Sequence, residues 1–346
     1  MAGQVVILDA PASVFADCVA ADPANPFYTP AYVDARRSLG DRAGVMQLRR
    51  GNDGAVDSVP FFLSPLRLGH SLEVPSFPAG VDPLSMATAL GRLVRQYQVV
   101  SIAFPGYAAP DGCAAPLLSW PTTRYSRTEF VIDLTVPDLH AAMSRSHRQR
   151  ARQGQRSGLV LARSRNAAAC ADHARLMASS MSRRRDRGED AATAAAAKLL
   201  QPFLESGAGE LFQAVRDDVV YSSVLLLRAP RGAYDQSSGT STEGMSIGAA
   251  QFLIAAAGQA LAVEGIELLN LGGVREHETG LRAFKSHFGA RENGIVAAVV
   301  DSRSRARRLG ESLWHRLRRV RADARTRLGS GDDIETGQDE SIGAVR

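Results

Sequence analysis

The apolar positions form short runs separated by polar turns and by stretches of helical period, and one order of elements occurs twice. In the first half, Val45 to Leu48 predicts a strand and Val56 to Leu63 its partner. Between them Gly51-Asn52-Asp53-Gly54 is a hairpin turn, because Asn, Asp and Gly tolerate the positive φ that tight turns demand. An extended segment (Leu72 to Phe77), a helix from about Pro83 to Tyr97 and a buried strand (Val99 to Phe104) follow. The second half repeats this order. Leu211 to Arg216 and Val219 to Arg228 are strands flanking an Asp217-Asp218 turn. Gly232 leads into the extended Ala233 to Gln236, then a helix from about Ser246 to Val263, then a strand, Ile266 to Leu271, that breaks at Gly272-Gly273. No residue identity supports a duplication, so the repeat is one of architecture. Alternating hairpins and helices predict a mixed α/β (α+β) fold of two similar halves, each with a central sheet. The boundaries fall at 1–125 and 126–328.

The remaining elements fill in around this frame. Val5 to Leu8 is a leading strand, and Thr29 with Pro30 marks a helix start, with Thr as N-cap and Pro in the first turn. Val131 to Leu134 predicts a strand, followed by a helix from about Asp138 to Gln155 that ends before Gly158. A helix over 167–187 ends in an Arg-rich run, Arg183 to Gly188, expected to be a solvated terminus. The Ala-rich stretch 191–205 is a further helix. Residues 304–327 form a helix with Leu309, Leu313, Trp314, Leu317 and Val320 on one stripe. The tail 329–346 has almost no apolar content and is expected to be disordered.

With 45% hydrophobic and 22% charged residues over 346 positions, the chain has the composition of a globular protein large enough for two cores. No apolar run reaches the length of a transmembrane helix, and the N-terminus lacks a basic region ahead of an apolar one, so no membrane insertion and no signal peptide are expected. Cys18, Cys113 and Cys170 are isolated and odd in number, which suits a reducing cytoplasm and neither a disulfide framework nor a zinc site. Charge changes the picture more. Seven arginines and no acid lie between Arg145 and Arg165, and ten arginines against Glu311 and Asp323 lie between Arg303 and Arg327. On the first of these helices Arg145, Arg148, Arg152 and Arg156 project at roughly 0°, −60°, −20° and +20°, so they share one face. That face is either simply solvated or laid against a polyanion.

The chain holds no HExxH, CxxC pair, GxSxG or Walker A loop, and its histidines have no metal-ligand spacing. Two features remain. Lys285 is one of two lysines against thirty-nine arginines. Ser246-Ile247-Gly248-Ala249-Ala250, at a predicted helix start, could offer backbone N–H groups to a phosphate.

The order of motifs resembles the FemABX family and the FemAB-like branch of the GNAT superfamily. The residues that carry the likeness are T-E-F-V-I-D-L (Thr128 to Leu134), the Arg-studded R-S-H-R-Q-R-A-R-Q-G-Q-R (Arg145 to Arg156), E-G-I-E-L-L-N-L-G-G (Glu264 to Gly273) and G-L-R-A-F-K-S-H-F-G (Gly280 to Gly289). The similarity spans roughly residues 26–300, with the last motif its most specific part. It implies two tandem GNAT-like (acyl-CoA N-acyltransferase) domains, and transfer of an acyl group, usually an amino acid from aminoacyl-tRNA, to an amine of a small molecule or peptide. It places Phe284 and Lys285 at the transfer site, with the Lys cation stabilising charge on the donor ester or its tetrahedral intermediate. It assigns phosphate contacts to Arg145, Arg148 and Arg152, and room for the donor to Gly272 and Gly273. No tightly bound cofactor is implied. The co-substrate is aminoacyl-tRNA or, as the alternative reading, acyl-CoA held through Ser246 and Gly248; a non-catalytic nucleic-acid-binding scaffold is the third. Donor phosphate or water can take the amine's proton, with Asp235 and Glu243 as alternative bases. Two departures from the cell-wall enzymes are visible. The chain has no inserted coiled-coil arm, and its first half has no lysine, leaving Arg49, Arg50 or Arg67 to replace a phosphate-binding Lys.

Overall fold

In a computed structural model, residues 6–303 are described apart from 52–54, 77, 79, 111, 112, 114–117 and 190–196. The terminal Arg-rich helix, the tail and the centre of the first hairpin turn, all expected from sequence, lie outside the described residues. The first half runs β1 (Val6–Leu8), α1 (Ala12–Ala21), α2 (Pro30–Ser38), β2 (Arg42–Arg49), β3 (Val56–Leu66), β4 (Gly69–Glu73), α3 (Pro83–Tyr97) and β5 (Val99–Phe104). Next come β6 (Thr122–Asp133), α4 (Leu139–Ala142), α5 (Arg145–Arg156), β7 (Val160–Ser164), α6 (Ala167–Asp186) and α7 (Ala197–Glu205). The chain continues through β8 (Gly209–Arg216), β9 (Val219–Arg228), β10 (Gly232–Thr240), α8 (Thr242–Ser246), α9 (Ala249–Val263), β11 (Leu268–Val274), α10 (Thr279–Ser286) and β12 (Arg291–Asp301).

All strands join one 12-stranded sheet in the order β1-β2-β3-β4-β5-β12-β6-β11-β10-β9-β8-β7. The repeated order read from the sequence is thus two antiparallel hairpins, β2-β3 and β8-β9. Each leads to a strand, a crossover helix and a parallel partner, β4-α3-β5 and β10-α9-β11. A parallel pair requires such a crossover, which explains the helix between extended segments in both halves. The helix starts follow local chemistry. Thr29 accepts from Tyr32 N at 3.2 Å to cap α2, and Asp82 accepts from Ser85 N at 2.8 Å to cap α3.

Helix α3 buries Met86, Leu90 and Leu93 against Leu48, Phe61, Ile102 and Phe104. Helix α9 buries Leu253, Ile254 and Leu261 against Phe130, Ile132, Leu269 and Leu271. On the opposite face Phe15, Phe27, Tyr32 and Phe62 of the first half meet Phe203 and Tyr234 of the second. Each such side chain contributes about 1.5–3 kcal/mol through burial, and both faces are covered, which is why the strands read as nearly continuous apolar runs.

Three elements differ from the sequence reading. The helix expected over 138–155 is two, because Met143 is extended (ψ 150°) and the Ser144 hydroxyl caps a fresh start by accepting from His147 N at 3.3 Å. The helix expected from Ser246 starts three residues later, at Ala249, after Gly248 in the left-handed region at φ 79°, and Ser246 instead ends a separate short helix, α8. The strand expected to break at Gly272-Gly273 runs through them to Val274, with a bulge between Asn270 and Gly273 in its pairing with β6.

Candidate active site

Strands β10 and β11 pair only at Gly232–Leu268, Ala233–Leu269 and Tyr234–Asn270, and then part. Beyond that point β10 has its own bulge between Asp235 and Ser237, and β11 has the one at Gly272. Each bulge turns its strand away from the other. A cavity of about 440 Å³ occupies the gap, with Asp235, Ser237, Gly272, Gly273, Phe284 and Lys285 in its wall. Helix α10 supplies Leu281, Phe284 and Lys285 to that wall.

Lys285 is only 9% exposed, and its Nζ donates to the Gly272 carbonyl oxygen at 3.2 Å. That carbonyl is presented by the bulge, since Gly272 sits at φ 77°, a region that an L side chain adopts only with strain. A Cβ on Gly273 would strike the Arg127 guanidinium, so the second glycine makes room for that side chain. Burial lowers the Lys285 pKa, opposed chiefly by the charge of Asp235. Asp235 faces the cavity but is surrounded by protein; burial raises its carboxyl to about 6, opposed by Lys285 and by a hydrogen bond from Ser238. The cavity therefore pairs an ammonium weakened as a cation with a carboxylate strengthened as a base. Pairs of groups pushed off their usual values in this way are the arrangement that acid–base and charge-stabilising chemistry requires.

Around this pair sits a shell that the sequence reading did not single out. Arg127 stacks over the Tyr107 ring at 4.3 Å. Glu129, 1% exposed, accepts from Asn270 Nδ2 at 2.6 Å and from Ala108 N at 3.1 Å, and burial raises its pKa. Asn270 in turn accepts from Gly272 N at 2.8 Å, which holds the bulge. The available signal was charge at alternate positions, 127 and 129, in a strand otherwise apolar toward Asp133, and an Asn amid the leucines of 268–271. Both patterns put a polar group on a buried face, where it needs a partner. At the mouth, Arg184 bonds Glu189 at 2.7 Å and Glu278, so the Arg-rich run expected to be a solvated terminus instead ties α6 to the start of α10.

The arginine stripe lies elsewhere. Arg145, Arg152 and Arg156 are exposed on α5, whose other side buries Gly154 against Phe252 of α9 and His147 against the rings of Phe284 and Phe288. Arg148 donates to the Ala141 carbonyl at 3.2 Å and also to that of Met143. None of these lines the Lys285 cavity. Arg150, off the stripe, bonds the carbonyl oxygens of Met245 and Ser246 at 2.8 and 2.9 Å. Together with Arg183, Arg187, Ala250 and Gln251 it lines an outer recess that shares Arg184 and Phe284 with the inner cavity. Ser246 is the last residue of α8, and the Gly248 N–H bonds Met245 O at 3.4 Å. The amides free to meet an anion are accordingly those of the first turn of α9, Ala249 to Gln251, and not those of Ser246 and Gly248. Glu243 is bonded by Arg216 at 3.3 Å, outside both walls, whereas Asp235 shares the inner wall with Lys285 and feels its charge. Among the described residues no cluster could hold a metal ion, all three cysteines are free, and no helix is long and apolar enough to cross a membrane.

Gly248 also provides a stability test. A Cβ there would meet the Arg150 carbonyl oxygen in addition to the positive φ, whereas Gly280, in the first turn of α10, has nothing within 4 Å. Gly248→Ala is expected to cost about 1–3 kcal/mol and Gly280→Ala to stabilise by up to about 1 kcal/mol, both read from urea unfolding. Equal midpoints for the two variants would show that the α5–loop contact is not tight.

Residues 141–286 match the family model described as an acetyltransferase (GNAT) domain, a span that ends one residue past Lys285. The solved structure of FemX superposes with a TM-score of 0.60 at 12% identity over 83% of this chain and 94% of FemX. A conserved protein of unknown function from Bacteroides thetaiotaomicron gives 0.54 at 10% identity, over 87% of this chain and 100% of that one. A tandem GNAT protein from the clavulanic acid biosynthesis pathway gives 0.50 at 13% identity, again over 87% and 100%. No curated protein matches the sequence. The fold is that shared by FemX and the tandem GNAT protein.

Proposed function

We propose, from a fold shared with FemX and a GNAT-type domain over residues 141–286, that the chain is an acyltransferase that forms an amide by moving an amino acid from aminoacyl-tRNA to an amine. The observation that carries this reading is the buried Lys285 ammonium, held at the Gly272 carbonyl where β10 and β11 part, with Asp235 opposite. The donor ester carbonyl lies beside Lys285. The amine nitrogen attacks the carbonyl carbon, a C–N bond forms, and the oxygen takes up negative charge. Lys285 meets that charge with a compact cation, which a guanidinium fork spreads too widely to do at one oxygen. The nitrogen's proton passes to Asp235, the oxyanion collapses as the C–O bond to the ribose breaks, and Asp235 returns the proton to the ribose oxygen, which leaves as a hydroxyl. Phe284 closes the apolar side of the cavity. In this reading the exposed Arg145, Arg152 and Arg156 receive tRNA phosphates outside it, and Arg148 secures the turn between α4 and α5.

A second donor is favoured by one feature. The first turn of α9 points its amides into the recess lined by Arg150, Arg183 and Arg187, an arrangement suited to the diphosphate of acyl-CoA. Filter binding separates the donors. Aminoacyl-tRNA affinity is expected to fall with salt by about 0.7 of a log unit per phosphate neutralised on single-stranded contacts. Alanine at Arg145, Arg152 and Arg156 together should reduce that slope by about two. Binding that ignores both salt and these substitutions, with thermal stabilisation by coenzyme A, selects the acyl-CoA reading.

A further inference from the structure

A second cavity, of about 310 Å³, lies beside the first. Its strand residues Glu129, Val131, Leu268 and Asn270 alternate with the Phe130, Ile132, Leu269 and Leu271 that pack on α9, so it opens on the face of the sheet away from that helix. The segment between α1 and α2 and the loop at Ala108 to Pro110 close it over, and Tyr234 stands in the walls of both cavities. At 310 Å³ it is at the small end of ligand pockets.

Its polar groups are mostly acceptors. The Asn293 Oδ1 is buried and has no hydrogen-bond partner among the described residues. Glu129, directly across the β6–β12 pairing from Asn293, uses one oxygen for Asn270 and Ala108 and leaves Oε1 with a single long contact of 3.4 Å. Asp22 is held by the Asn25 side chain at 3.2 Å and by a backbone N–H, with no cation among its described contacts. Arg291 stands in the wall, exposed. Two carboxyl groups and an orphaned carbonyl oxygen thus share one small space in which the exposed Arg291 is the cationic N–H donor among the described wall residues, and a primary ammonium would bring three more such N–H groups.

We propose that this cavity binds a small compound bearing a primary ammonium group, held between Asp22, Glu129 and the Asn293 Oδ1. The parting of β10 from β11 begins at Tyr234 and Asn270, the residues at its inner end. A bound amine is thereby placed next to the transfer cavity on the side away from α9. As supplier of the acceptor this site rests on the transferase reading; as a binding site it does not.

Calorimetric titration of the purified protein without any acyl donor tests the binding. The probes are n-butylamine, ethanolamine and glycine methyl ester, with butyrate and tetramethylammonium as controls. Primary ammonium probes are expected to bind and the controls, which lack an N–H cation, are not. Asp22→Asn and Asn293→Leu should each weaken binding about tenfold or more, while Leu84→Ala, on the exposed side of α3, leaves it unchanged. Both residues are partly exposed, and Asp22→Asn keeps the size of the side chain, so it keeps the test sound should Asn293→Leu unfold the chain. No binding by any probe, equal binding of tetramethylammonium, or loss with Leu84→Ala but not with Asp22→Asn would overturn the site. Mass spectrometry after adding donor then separates the two readings. An acylated probe upholds both, and a bound but unmodified probe upholds the site while counting against the transferase.

Discussion

Replacing Lys285 with methionine is expected to lower kcat/KM for acyl transfer by about 10²- to 10³-fold, the loss that follows removal of one preorganised donor at an oxyanion. Methionine matches the length of the buried stem and leaves the contacts of Phe284 and Phe288 in place, so the change removes charge more than packing. The fold is expected to survive, because the counterpart of the lost ammonium, Asp235, already has a raised carboxyl and can take up a proton. Arginine is no substitute here. Its delocalised fork spreads the charge that a compact ammonium presents to one oxygen, so Lys285→Arg should lose as much as Lys285→Met, unlike a surface exchange. Single-turnover rates with saturating donor, beside thermal melts of the same preparations, check both variants. A folded Lys285→Met protein with wild-type kcat/KM would remove Lys285 from the mechanism.

The second large effect concerns Asp235 and has a sign that can be worked out. As the base it must be ionised, and its carboxyl titrates at about 6, so kcat/KM should rise with pH through that value and level off above it. In Lys285→Met the opposing charge is gone and the limb should move to higher pH. Asp235→Asn should lower the plateau by about 10²- to 10⁴-fold and abolish the limb. Stability runs the other way. The folded pKa exceeds the ordinary aspartate value of 3.8, so the folded state binds more protons between those two values, and this group's contribution increases as pH falls through the window. Loss of activity near pH 6 with an unchanged or higher unfolding midpoint therefore identifies the titration of a working group. Parallel loss of activity and of fold would point elsewhere.

Phe284 and Lys285 could be singled out from sequence because the signals were local. A lysine in an arginine-dominated chain and an F-K-S-H-F-G run at the end of a short helix need no partner to be seen. The strand–helix order was legible for the same reason, since hydrophobic period, Thr29 and Asp82 caps and the Asp-Asp turn are written within a few residues of where they act. Arg127, Glu129 and Asn270 were passed over because their meaning is pairwise. Glu129 and Asn270 are 141 positions apart, and nothing near either one indicates that the other satisfies it.

The arginines show the same division. The shared face of Arg145, Arg148, Arg152 and Arg156 is a consequence of helical period and appears as expected on α5. What that face meets depends on the packing of α5 against α9. This packing turns Arg145, Arg152 and Arg156 outward and lets Arg150 reach the Met245 and Ser246 carbonyls. The stretch from Glu264 to Gly289 has both kinds of information. Its strand, its Gly-Gly pair and its lysine follow from the chain alone, through apolar period and side-chain chemistry. That the glycines form a bulge within β11, that the bulge aims a carbonyl at Lys285, and that Asp235 stands opposite were decided only when β10 and β11 were brought together and parted after three pairs. Backbone pairing across distant segments sets those directions, and no local pattern encodes it.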